Sequence, residues 1–221
     1  RGLGDVYKRQ YAMSTVLSKS QMKKVTLQEL KQMALDVKYS LWNQAEANNR
    51  DVKLYVHWSA GRYSQFWDDY HVQIDYDGSI YVPRGVSLDT VLAATYMRNS
   101  GSIALCFLGC FDATTNSGLG TNPITAQQIE VMSQCICVLA DALDLTIDKK
   151  RVLTHGEAGD NEDGVYCHEP YGVKTTVERW DCEYLGTPES SHYNPYATDG
   201  TRGGDVLRGK ANWYRGQKLL Q

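Results

Sequence analysis

The sequence predicts a single α/β domain with a mixed central β-sheet flanked by helices on both faces. Three observations predict it. Two amphipathic helical segments, each opened by a capping box, alternate with short apolar strands; an Asp-Gly turn joins two strands as a hairpin; and Ser102 to Gly109 (SIALCFLG) is a continuous apolar run of the kind buried on both faces of a sheet. A chain of 221 residues, 42% hydrophobic and 22% charged, is sized for one ordinary domain with room for an appendage.

Taken in order, the first ten residues (RGLGDVYKRQ) contain no Met and nothing periodic begins before position 26, so residues 1–12 are expected to be a non-native or disordered leader. Thr26 and Glu29 form a capping box, after which Leu27, Leu30, Ala34, Val37, Leu41 and Ala45 repeat at helical spacing. Lys53 to His57 (KLYVH) is a short apolar strand, closed by the loop SAGRY. His71 to Asp75 and Ser79 to Val82 flank Tyr76-Asp77-Gly78, predicting a hairpin with a tight primed turn. The run at 102–109 belongs in the middle of the sheet. Thr125 with Gln128 caps a second helix, whose Ile129, Met132, Ile136, Leu139, Ala140 and Leu143 share a face.

Val152-Leu153-Thr154 then leads as a strand into His155. Residues 156–177 read as irregular and, in GEAGDNEDG, too polar to pack, with order resuming at Glu178 in the short helical pattern ERWDCEYL. The domain is expected over 22–187, and 188–221, rich in Gly, Tyr and polar residues, is expected to be a C-terminal extension or a linker.

A formal net charge of −3, with no long run of one sign, argues against a nucleic-acid partner. No stretch approaches the ~18 apolar residues of a membrane span, and there is no apolar core of a signal peptide. No membrane association is therefore expected, and a monomer held in the cytoplasm until lysis is the expected state. Six cysteines without a CxxC pair read as small buried hydrophobes in a reducing compartment rather than as a disulfide framework or a structural zinc site.

His57 and His155 each close a short apolar strand, which fixes the backbone and projects the imidazole toward a cleft. A hydrolytic zinc needs three protein ligands of N or O type and one open position, and two such histidines on neighbouring strands would begin that set. Taken singly, HWSAG and LTHGE are ordinary hydrogen-bonded histidines.

The order of the surrounding blocks adds a second line. YVHWSAG, DDYHVQIDYDGSIYVPRG, RNSGSIALCFLGCF, a capped helix and VLTHGE follow one another, and in this the sequence resembles the zinc-dependent N-acetylmuramoyl-L-alanine amidases, the family of peptidoglycan recognition proteins and phage endolysins. The resemblance covers roughly residues 26–187. It implies a zinc hydrolase that cuts the amide between N-acetylmuramic acid and L-alanine in bacterial peptidoglycan, acting on the cell wall in the manner of a phage or prophage endolysin, with phage or bacterial origin left open. The alternative is a metal-free peptidoglycan-binding module of the same fold.

Carried over residue by residue, His57 and His155 match the two zinc histidines. The third ligand in the family is a Cys or an Asp; Asp181 in ERWD matches the acidic version, with Cys167 and His168 as chemically competent alternatives. Tyr70 matches a tyrosine that helps polarise the scissile carbonyl. Arg179 stands where relatives carry a lysine; it can stabilise an oxyanion but, staying protonated, cannot donate a proton. Cys106 replaces a glutamate of some relatives, Ala94 a histidine and Ala104 a glycine, which leaves the general base open. Glu157 is the nearest carboxylate to His155 in sequence, and the same residue could cap the loop or orient a ligand. Trp58 and Trp67 could wall a sugar site or belong to the core.

Overall fold

The computed structural model describes residues 14–221, so the expected leader at 1–12 lies outside the described residues. A two-stranded ribbon pairs β1 (Val16–Leu17) with β4 (Phe66–Trp67). The main sheet contains β2 (Met22–Val25), β3 (Lys53–Trp58), β5 (Val72–Ile74), β6 (Ile80–Pro83), β7 (Ser102–Phe107) and β8 (Val152–Thr154). Their order is β2-β6-β5-β7-β3-β8; β2, β6 and β5 pair antiparallel, and β5, β7, β3 and β8 run parallel. The apolar run at 102–109 therefore supplies an interior strand, as expected, and both of its faces are buried.

Both capping boxes form. Thr26 opens α1 (Leu27–Glu46) and Thr125 opens α2 (Ala126–Leu143), each hydroxyl accepting the backbone N–H three residues on at 3.1 Å. These two helices and a third long one, α4 (Gly203–Gly216), pack together with the sheet face bearing Leu54, Val56, Ile103 and Leu105 to form the main core. The opposite face carries Tyr55, His57, Ala104 and Cys106, and its only helix among the described residues is the five-residue α3 (His155–Gly159). Helices thus flank both faces very unequally. Loops cover the second face, and the site lies there. No helix among the described residues is long and apolar enough to cross a membrane.

Three local expectations are corrected. In the hairpin, Gly78 N–H bonds to Asp75 O at 2.9 Å and Gly78 alone takes positive φ (84°), so Tyr76-Asp77-Gly78 is a three-residue loop rather than a two-residue primed turn. Residues 178–185 hold an isolated bridge at Arg179 and one turn, closed by Glu183 N–H on Trp180 O, instead of a helix, with Cys182 at φ 67°. The polar stretch after His155 is packed, because buried Arg98 reaches it from another loop: its Nε donates to Asp163 Oδ2 at 2.7 Å and its Nη2 to Asn161 Oδ1 and Val165 O. Tyr55 Oη also donates to Asp163 Oδ2, at 2.6 Å. Five of the six cysteines are buried and all are free thiols, Cys167 alone being exposed.

Candidate metal centre

Alternation along β3 decides what His57 faces. Leu54, Val56 and Trp58 enter the main core, which turns Tyr55 and His57 to the other side of the sheet. Val56 pairs with Thr154 in the parallel β3–β8 ladder, so the next residues, His57 and His155, come abreast at the carboxyl ends of adjacent strands. That end of a parallel sheet is where open α/β folds gather ligands. His155 is the first residue of α3 rather than the last of a strand. Thr154 caps that helix: its Oγ1 accepts from Glu157 N–H at 3.3 Å, and Glu157 Oε1 accepts from Thr154 N–H at 3.0 Å.

The third arm arrives from the segment at 178–185. The two imidazole Nδ1 atoms stand 3.1 Å apart, and Asp181 reaches both, Oδ2 lying 3.3 Å from His57 Nδ1 and Oδ1 3.3 Å from His155 Nδ1. Among the described residues these three form the one group of His, Cys, Asp or Glu whose ligand atoms converge in this way, all within 4.8 Å. Cys167 and His168 do not join them. The Cys167 thiol points toward Met97 O, and His168 is held through Nδ1 by Glu169 O and through Nε2 by Arg98.

The donor set fits a divalent cation such as zinc. Tetrahedral ligands at ~2.0–2.1 Å from zinc stand ~3.3–3.4 Å from one another; the two Nδ1 atoms here are 3.1 Å apart, each faces its own Asp181 oxygen at 3.3 Å, and one donor atom from each residue lies within 4.8 Å of the others. Thr95 Oγ1 lies 3.1 Å from His57 Nε2; with Nε2–H donating to it, the Nδ1 lone pair is turned into the group. Burial pulls the pKa of His155 down to about 4 against the raising effect of Asp181, so this imidazole is a neutral donor at pH 7. Burial pushes the Asp181 carboxyl up, but His155 and His57 outweigh it and hold the group well below the ordinary carboxylate range. The result is two imidazoles and a carboxylate, all buried.

Around this group, Tyr70 packs its ring 5.3 Å from that of His57, and its hydroxyl hydrogen-bonds the Cys106 thiol. The Arg179 guanidinium sits 6.0 Å from the Tyr171 ring centre, and that ring is 6.3 Å from His155. Glu157 is drawn elsewhere. Its two oxygens accept from Arg208 Nη1 and Nη2, each at 2.8 Å, and although burial pushes its pKa up, Arg208 brings it down to about 2. Of the roles open to Glu157 in the sequence, the geometry displays the cap. Trp58 is core, edge-on to Trp180 and Tyr184 at 5.2 and 5.9 Å; Trp67 is half-buried beside Tyr70 and Ala94.

Sequence reasoning missed Thr95, Arg98, Arg202 and Arg208. All four are buried polar residues whose partners lie far along the chain, and local spacing carries no trace of them. A buried arginine's partner is found only in three dimensions.

No family model matches the chain, and no curated relative matches it. Among solved structures it is similar to the endolysine N-acetylmuramoyl-L-alanine amidase LysCS from Clostridium intestinale URNW, at 16% identity and a TM-score of 0.37 over 55% of this chain and 75% of that one. It is likewise similar to the N-acetylmuramoyl-L-alanine amidase LysC from the same organism, at 16% identity and a TM-score of 0.37 over 58% of this chain and 80% of that one. Likeness of that degree carries no argument about activity. The convergence of the three donors is what bears on function.

Proposed function

We propose that this chain is a zinc-dependent N-acetylmuramoyl-L-alanine amidase acting on bacterial peptidoglycan, with His57, His155 and Asp181 as its metal ligands. The observation that carries the reading is the meeting of two imidazole nitrogens and one carboxylate, from segments 98 and 26 residues apart in sequence, at the carboxyl end of a parallel strand pair. The resemblance of the sequence blocks to that family supplies the substrate class.

A zinc ion at such a site supplies Lewis acidity and lowers the pKa of water to ~7. The residues of the chain have distinct tasks around it. His57, held through Nε2 by Thr95, and His155, neutral at pH 7, offer lone pairs rather than protons. Asp181 contributes the negative charge, with one carboxylate oxygen facing each Nδ1 at 3.3 Å. Tyr70 is the hydroxyl donor for the carbonyl oxygen of the lactyl group, and Arg179 is a fixed positive charge for the oxyanion that develops as that carbonyl is attacked. Glu157, spent on Arg208 and on capping α3, has no part as the general base in this mechanism.

Incubation of the purified chain with isolated cell walls tests the proposal. New L-alanine amino termini, abolished by a chelator and restored by zinc, are the expected result. Release of other amino termini would make it an endopeptidase. Binding to walls without any release would make it a recognition module, and either of these outcomes overturns the amidase reading.

A further inference from the structure

His155 and Asp181 share a second feature: each is followed two residues later by a buried glutamate, Glu157 and Glu183. Both glutamates are gripped through both carboxylate oxygens by arginines of the C-terminal segment. Arg208 donates from Nη1 and Nη2 to Glu157, each at 2.8 Å, and Arg202 donates from Nε and Nη2 to Glu183, each at 2.9 Å. Arg208 Nη1 also reaches Val152 O at 2.9 Å, on the strand that delivers His155.

The backbone approaches as closely as the side chains. Gly203 N–H donates to Glu183 O at 2.9 Å, and a Cβ at Gly203 would stand 1.9 Å from Cys182 O, the residue after Asp181. A Cβ at Gly204 would stand 2.3 Å from Glu157 Oε1, and one at Gly156 2.7 Å from Glu183 Oε1. Two glutamates and two arginines therefore form one layer against the backbone that carries two of the three donors. Glycines permit that proximity.

Such a layer has a task, because neither residue stands on an extended regular element. His155 starts a five-residue helix, and Asp181 precedes a left-handed Cys182 in a single turn. A ligand needs its carrier held to within a fraction of an ångström, and paired Arg–carboxylate forks fix both distance and plane. Elsewhere α4 docks onto α2 by Lys210 and Tyr214 on Glu130 and by Arg215 on Asp141, contacts that hold the helix without touching the segments that bear the donors.

We propose that Arg202 and Arg208 are positioning residues of the metal centre, so that the C-terminal segment is a two-point clamp setting the geometry of His155 and Asp181. This rests on the zinc reading above and goes beyond it, since it makes metal affinity depend on residues that lie outside the segment resembling the amidases.

The test uses the full chain and measures zinc affinity by chelator competition, together with the visible absorption of the cobalt-substituted protein. Arg202→Met and Arg208→Met should each weaken zinc binding about 10–100-fold, the usual cost of losing a group that orients ligands, and should alter the cobalt bands. Lys210→Met, which cuts an ion pair of the same helix to α2, should stay within about twofold of the parent, with the same spectrum. Arg202→Lys and Arg208→Lys keep the charge but lose the fork; they should fold and still bind zinc more weakly than the parent, and they decide the matter if the methionine variants do not fold. Folded arginine variants with parental affinity and spectrum would overturn the clamp, as would a Lys210→Met loss equal to theirs. A parent chain that binds no zinc would instead overturn the function from which the clamp follows.

Discussion

The two halves of the candidate metal centre are built in different ways. His57 stands on a six-residue interior strand, paired on both sides and backed by an apolar core from α1 and α2. His155 and Asp181 stand on a one-turn helix and on a single turn in irregular chain, held by buried polar groups: Arg98 on Asp163, Arg208 on Glu157 and Arg202 on Glu183. The first half is fixed by burial of apolar surface, a non-directional force that tolerates conservative exchange. The second is fixed by directional pairs, and each costs heavily if one partner goes.

Arg98→Met should therefore loosen the second half and leave the first intact. It leaves Asp163 a buried carboxylate without its cationic partner, kept only by Tyr55 Oη and Val165 N–H, and the loss should be about 3–5 kcal/mol in denaturant unfolding. Hydrogen exchange should show faster opening confined to 155–171, with β3 and β7 still protected. Equal loss of protection in the central strands would show that the two halves are one cooperative unit.

The same contrast explains what the sequence made legible. The helices at 27–46 and 126–143, the interior strand at 102–107 and the position of His57 all follow from periodicity and capping, which are local. The family resemblance, together with the setting in ERWD, points to Asp181, although the helix expected there does not form. Neither Glu157's commitment to Arg208 nor the packing of the acidic stretch could be read, because their partners lie 51 residues downstream and, for Arg98 and Asp163, 65 residues apart.

A smaller effect sharpens the account of the sheet side. His71 is buried there, its Nδ1 accepting from Ala104 N–H at 3.0 Å and its Nε2–H donating to Thr90 O at 2.6 Å, a pattern only the neutral ring satisfies. Burial lowers its pKa from 6.5 to about 4. Below pH 6.5 the unfolded chain takes up a proton that the folded one refuses, so stability falls as pH drops from 6.5 to about 4, by up to about 3 kcal/mol from this residue. His71→Gln, whatever its stability at pH 7, should lose less across that window in unfolding measurements. A decline parallel to that of the parent would mean that His71 does not contribute.

The most direct test of the central claim is metal analysis of the purified full chain beside Asp181→Asn, before and after chelation. About one zinc per parent chain is expected, removed by chelator, regained on adding zinc, and greatly reduced in Asp181→Asn while the variant remains folded. Less than about half a zinc per parent chain after zinc addition, with no release of L-alanine amino termini from cell walls, would contradict it.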